Sequence, residues 1–215
     1  LTPAQAYQTV TNQFNDASGN FVSADEVYNY LWLAECELNK KIQCAEVVDT
    51  SLVTVIGQQE YVVPSSFTYI SRIIWYNYRL KKIDFRGIEA MDVYYGQQST
   101  GNAWYYYRFG SNIGLYPTPT AAQTIRIYGI QTPAYLTSAS TVFTIPDLFH
   151  AYLIDYALWR IYAKDQDIGR TQFYTAQWNA NLVKAETEWA KFKQNDSIAF
   201  VKDIDSYPDS DFGMV

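Results

Sequence analysis

A nucleophile working at neutral pH needs a base beside it, and this chain of 215 residues offers one histidine, His150. His150 falls early in a run, Leu148 to Ala163, that only it, Asp155 and Arg160 interrupt. A histidine in such a helix is expected to bond a backbone carbonyl. Asp155 and Arg160 are expected to form a buried ion pair between helices, since charges in an apolar surface must find partners. Cys36 and Cys44 read as part of one helix, where eight residues at ~1.5 Å rise set them about 12 Å apart, too far for a disulfide. Both are expected to be reduced and to serve as small apolar residues. One histidine and two cysteines make no zinc set. The phosphate-cradling G-x-x-x-x-G-K-[ST] and G-x-G-x-x-G patterns and the hydrolase G-x-S-x-G are absent. Paired carboxylates stay open, because sequence gives no distances between the acids. The expectation is a protein that is not an enzyme and has no catalytic residue, no cofactor and no metal.

Side chains suited to contact are far more abundant. Aromatics make up 17% of the chain, with 20 Tyr, 11 Phe and 6 Trp, while charged residues are 18%. An ordinary soluble domain carries about 25% charge. The aromatics cluster in Trp75-Tyr-Asn-Tyr78, Tyr94-Tyr95 and the run Trp104, Tyr105, Tyr106, Tyr107. Neighbours in a strand point to opposite faces, so Tyr105 and Tyr107 cannot share a core with Trp104 and Tyr106. Three readings follow: a sheet sandwiched between two layers of its own chain, a surface for a protein partner, or a platform for stacking sugars. The net charge is −6, and residues 196–215 supply four of those charges with five Asp and one Lys. Arg79 to Lys82 is the single basic cluster, so firm phosphate-mediated DNA binding is not expected. No apolar run approaches the ~20 residues of a membrane span. Reduced cysteines and no signal-peptide pattern lead to an expectation of cytosolic synthesis.

The elements that position these residues change character twice. Thr2-Pro3 opens a short helix to about Asn15. Ser23-Ala24-Asp25-Glu26 is a capping box, and Val27, Leu31, Ala34, Leu38 and Ile42 continue at helical spacing to about Ala45. Val53 to Ile56 and Tyr61 to Pro64 then read as strands around Gly57. Phe67 to Tyr78 reads as a long strand, with Phe67, Tyr69, Ile73 and Trp75 on one face and Ile70, Ile74 and Tyr76 on the other. A small helix is expected over Arg86–Tyr95 with Gly96 as its C-cap, then strands over Trp104–Arg108, Ile113–Tyr116 and Thr124–Ile130. Thr144 is the expected N-cap of the apolar helix. The last helix, about Arg170 to Gln194, has a seam at Tyr174, Trp178, Leu182, Ala185, Trp189 and Phe192, suited to a neighbouring helix.

The fold class is therefore α+β. Residues 1–46 and 144–195 are expected to form an antiparallel helical bundle. A small antiparallel β domain, 47–143, is inserted between them with its short helix near 86–95. Residues 196–215, where Phe200, Tyr207 and Phe212 stand among aspartates, are expected as an extended tail that cannot build a core of its own.

Four pieces in order resemble one family. They are Tyr61-Val-Val-Pro64 followed by Phe67-x-x-Ile70-x-Arg72-Ile73-x-Trp75, and Gly110-x-x-Ile113-x-Leu115-x-Pro117-x-Pro119. Then come Ile125-Arg126-Ile127-Tyr128 with Pro133-x-x-Leu136-Thr137, and Ile145-Pro146-Asp147-x-Phe149-His150 leading to Tyr156-Ala157. Over about residues 20 to 195 the chain resembles the SU10-type head-to-tail adaptor (connector) proteins of short-tailed bacteriophages. The resemblance implies a virion structural protein made in the host cytoplasm and seated at the head–tail junction. It implies a ring of about twelve sister subunits, whose closure needs two different complementary patches per copy. Its partners would be the portal protein and the tail nozzle (tail tubular) protein, with DNA passing through the channel without specific binding and no membrane involved. On this reading Trp104, Tyr105, Tyr106, Tyr107, Phe200, Tyr207 and Phe212 are the candidate partner-binding residues. The alternative is an aromatic-platform carbohydrate-binding module of a phage tail appendage, built on Trp104 to Tyr107.

Overall fold

The computed structural model of the chain describes residues 1–16, 19–91 and 100–204, with side chains omitted for Met91 and from Asn195 on. It is a mixed helix-and-sheet fold of two compact units, one formed by Leu1–Cys44 with the chain from Pro133 onward, the other by Ala45–Thr132.

In the helical unit, α1 (Pro3–Phe14) starts with a reciprocal cap between Thr2 and Gln5. Helix α2 (Ala24–Ile42) is capped by the Ser23 hydroxyl, which accepts from the Glu26 amide. The reciprocal half of the expected box is not formed, because the Glu26 carboxylate accepts from Tyr30 and Lys164 instead. It ends at Gln43, whose φ of 52° is left-handed, so Cys44 lies beyond the helix rather than within it. Both cysteines are free. Helix α4 (His150–Lys164) is preceded by a 3-10 turn, Asp147–Phe149, and α1, α2 and α5 (Ile168–Ile204) all pack on it. The expected Thr144 cap is not formed. Thr144 Oγ1 instead accepts from the Ala134 amide, while the Thr144 and Ile145 amides donate to Glu35 Oε1 at 2.7 and 3.2 Å. The segment leading into α4 is thus held by a carboxyl from α2.

Helix α5 buries Trp178 and Ala185 and half-buries Tyr174, Leu182 and Trp189 along the expected seam, but its last expected member, Phe192, is exposed. Trp178 meets the Tyr156 ring edge-on at 5.0 Å, and Tyr174 stacks on Tyr162 at 5.4 Å. The helix does not stop at Gln194 but continues to Ile204. An extended tail from residue 196 is corrected accordingly: residues 196–204 are helical. Phe200 lies on that helix, and Tyr207 and Phe212 lie outside the described residues.

In the β unit, two four-stranded sheets share one apolar core. Their orders are β1-β10-β3-β4 and β2-β8-β7-β5. The strands are β1 (Glu46–Asp49), β2 (Glu60–Val62), β3 (Phe67–Trp75), β4 (Tyr78–Arg79), β5 (Lys81–Lys82), β7 (Tyr105–Phe109), β8 (Asn112–Tyr116) and β10 (Ile125–Gln131). The strands β6 (Thr100–Gly101) and β9 (Thr118–Pro119) form a separate pair. Most pairing is antiparallel, but β5 with β7 and β6 with β9 are parallel, which the sequence reading did not anticipate. Helix α3 starts at Phe85 and is described as far as Met91; the rest of the expected helix and Gly96 lie outside the described residues.

Alternation along β3 fails at two register slips against β10, the second between Ile130 and Gln131 returning Phe67 to the inward face. The first falls between Tyr128 and Gly129, so Ile70 joins Phe67, Ile73 and Trp75 in the core and Tyr69 turns outward. Gly129 permits this, because a Cβ there would sit 2.1 Å from the Tyr69 carbonyl oxygen. Val53 to Ile56 is a loop touching the sheet by one bridge, Val53 to Thr124, rather than a strand. Thr54 ties it down, accepting from Trp75 Nε1 and donating to the Ala121 carbonyl, and the Tyr61 hydroxyl donates to Gln58 O at 2.7 Å.

Candidate interaction surface

Trp75 ends β3 inside the core, and the chain reverses through the two-residue turn Tyr76–Asn77. Tyr76 has φ of 57°, a region bulky side chains rarely adopt, and its carbonyl accepts from Arg126 on β10 at 3.3 Å. A positive φ at the first position of a two-residue hairpin is what the turn requires. Tyr76 is 52% exposed, its ring 6.1 Å from that of Tyr78, which is 5.4 Å from the Trp104 indole. Trp104 is brought there by two backbone bonds, from Lys81 N to its carbonyl and from its own amide to Tyr116 O. These three rings make a continuous exposed ridge on the β unit.

The run Trp104 to Tyr107 divides differently from strict alternation. Trp104 is 51% exposed and Tyr105 half-buried, whereas Tyr106 and Tyr107 are both buried, on opposite faces. Tyr106 enters the core shared by the two sheets. Tyr107 lies across Gly114, where any Cβ would collide with its ring, packs edge-on to Phe85, and donates its hydroxyl to Glu60. Helix α3 supplies the second layer that buries Tyr107. The accessible aromatics are thus Trp104 and Tyr105, joined by Tyr76 and Tyr78 from the preceding turn.

Cations flank the ridge. Ser71, Arg72, Arg79, Lys81, Lys82 and Tyr106 line a pocket of about 270 Å³ where the chain passes from one sheet to the other. Arg72 lies 4.0 Å over the Tyr128 ring, and none of Arg79, Lys81 and Lys82 forms an ion pair among the described residues. Residues 45–132 hold seven Lys/Arg against six Asp/Glu, a balance of +1 that leaves −7 for the remainder of a chain at −6. The charge of the molecule is segregated by unit.

On the helical unit, the outward side of α5 carries Phe173, Ala176, Ala180, Val183, Thr187 and Ala190, all exposed and spaced 3, 4, 3, 4 and 3. This second seam lies on the side of the helix away from Trp178. Phe173 and Val183 are 62% and 63% exposed.

The groups able to do chemistry are engaged structurally. His150 is buried, with Nε2 2.8 Å from Ile145 O and Nδ1 2.9 Å from Leu1 O. Neither Asp155 nor Arg160 makes the expected interhelical ion pair among the described residues: Asp155 accepts from the neutral Asn181 Nδ2 on α5 at 2.7 Å, and Arg160 is exposed over the rings of Tyr30 and Trp159. Their separation by five residues puts them on different sides of α4. Burial raises the Asp155 pKa, and Asn181 offsets part of that. Burial also pushes the Cys36 thiol up to about 11. Glu35 was missed by sequence reasoning. It is fully buried, with Oε2 lacking a hydrogen-bond partner among the described residues, and burial pushes its pKa up to about 7 against the two amides that lower it. Among the described residues no three His, Cys, Asp or Glu are grouped to hold a metal ion, and no helix is long and apolar enough to cross a membrane.

No curated protein matches the chain. The family model for SU10 adaptor protein matches residues 2–196, a span that takes in both units and α5 as far as the end of its seams. The chain thus belongs to the SU10 adaptor protein family, whose role is that of a phage head-to-tail adaptor.

Proposed function

We propose that copies of this chain close into a ring, of about twelve, at the head–tail junction of the virion, each using two complementary patches. The ring joins the portal to the tail nozzle and lines the DNA channel, and the protein has no reaction centre. The observation that carries this reading is the outward seam of α5, from Phe173 to Ala190, a mostly apolar 3-4 pattern left exposed among the described residues. Such a seam is the pattern one helix presents to another. The exposed ridge of Tyr76, Tyr78 and Trp104 supplies a further contact for neighbouring virion proteins, as aromatic side chains do at interfaces. A net charge of −6 favours a conduit that does not retain DNA. The carbohydrate-platform reading has less support, because Tyr106 and Tyr107 are interior and the remaining rings tilt by 40° and 55° to one another.

The test mixes the protein with its portal and examines the product by electron microscopy. Rings capping the portal are expected for the natural protein. Val183→Asp should keep the circular dichroism spectrum and abolish the rings. Portals left uncapped by the natural protein, or rings unaffected by Val183→Asp, would sink this account of the seam.

A further inference from the structure

The cationic pocket of the β unit has no role in an adaptor built on helix contacts alone. Four cations surround it, Arg72, Arg79, Lys81 and Lys82, and the three-ring ridge begins beside it at Tyr78 and Trp104. Lys81 and Lys82 lie on the sheet edge, paired only through β7, and both are exposed. A surface that alternates cations with aromatic faces suits a ligand that alternates carboxylates with rings. The chain itself contains that ligand. Its last twenty residues hold Asp196, Asp203, Asp205, Asp209 and Asp211 against Lys202, with Phe200, Tyr207 and Phe212 between them.

We infer that the pocket and ridge of the β unit bind the acidic, aromatic C-terminal segment of a second copy of the chain. The aspartates meet Arg79, Lys81 and Lys82, and Tyr207 or Phe212 packs against Tyr78 and Trp104. This rests on the ring reading above and adds to it a head-to-tail strap: the −4 end of one copy on the +1 unit of the next. The two patches differ, as a contact that closes by rotation requires. Charge complementarity selects the occupant, since the acidic end of this net-acidic chain is opposite in sign to its basic pocket.

The experiment places a photo-crosslinking phenylalanine analogue at Tyr207 in the full chain, assembled on its portal from a mixture of light and heavy isotope-labelled copies. Crosslinked peptides joining light to heavy, and mapping to residues 71–82 or 104–106, are expected. Lys81→Glu with Lys82→Glu should lower their yield about tenfold, the change that 1.4 kcal/mol produces, while rings still form. These side chains are exposed, so the fold is retained, which circular dichroism checks. Crosslinks within one copy, to the helical unit or to the portal overturn the inference. So does a yield unmoved by charge reversal, or duplex DNA that binds the pocket and leaves the crosslink unchanged. Rings with the crosslink elsewhere remove this inference alone; no rings at all removes the ring reading beneath it.

Discussion

Glu35 is a buried carboxyl in the helical unit with no ion-pair partner among the described residues. Glu35 Oε1 gathers two amides at the start of the segment leading into α4, while Oε2 is buried without a partner among the described residues. Burial outweighs the two amides and lifts the pKa from 4.5 to about 7. The folded protein therefore holds a proton that the unfolded chain releases between those values. Stability from this group is complete below about pH 4.5 and falls as pH climbs towards 7, by up to roughly 3 kcal/mol. Glu35→Gln keeps an oxygen for Thr144 and Ile145 but cannot ionise. Thermal unfolding from pH 4.5 to 8 should show the natural protein losing stability relative to Glu35→Gln across that window. Parallel profiles would mean that Glu35 does not titrate there. The signal for this residue was present in the sequence: Glu35 lies four residues after Leu31 and seven before Ile42, on the face that carries the core. It was passed over because a lone Glu among apolar positions looks like the edge of the stripe, and burial depends on α4, which arrives more than a hundred residues later.

Among the elements, α5 combines two faces with opposite duties. The inward one is energetic: Trp178, 1% exposed, fills the space against Tyr156, and Trp178→Ala should cost about 3–5 kcal/mol in denaturant unfolding. The outward one adds little to the monomer, so Val183→Ala should stay within about 0.5 kcal/mol. Equal costs for the two would show that the outward face is buried in the free protein. The inward seam was legible because Tyr and Trp mark it. The outward seam follows the same 3-4 spacing, but Ala176, Ala180 and Ala190 carry too little apolar weight to stand out. Helices in general were readable from their local period, down to the Pro3 start of α1 and the Ser23 cap of α2. Strands were less so. β1 has four residues of weak alternation on a sheet edge, and the bulge in β3 is decided by its pairing with β10 and by Gly129, a residue nearly sixty positions away. Burial of Tyr107 likewise needed a covering helix that strand alternation cannot announce.

At the scale of the whole molecule, the β unit leaves and rejoins the helical chain at one point. Its first strand pairs with its last, Glu46 opposite Ile130, and the Gln131 amide donates to Ala45 O at 2.9 Å. Two ends joined by ladder hydrogen bonds lie about 5 Å apart, a gap that a few residues can close. Loop-closure entropy for so short a bridge is small, so neither unit needs the other to bring its own ends together. The β unit also has its own core, from Tyr61 through Trp75 to Ile127, and exceeds the ~40 residues below which small folds need covalent staples. Residues 45–132 made alone should therefore melt cooperatively, with the fluorescence of a buried Trp75. The remaining chain, closed with a short Gly-Ser linker between Cys44 and Pro133, should keep the helical content of α1, α2, α4 and α5. Charge gives an independent readout, since the excised pieces carry +1 and −7 and migrate oppositely near neutral pH. If residues 45–132 are unfolded by circular dichroism while the linked helical unit folds, the β unit depends on the helices for more than its ends. Pairing of β1 with β10 would then be a consequence of the fold around it rather than the closure that makes this unit an insertion.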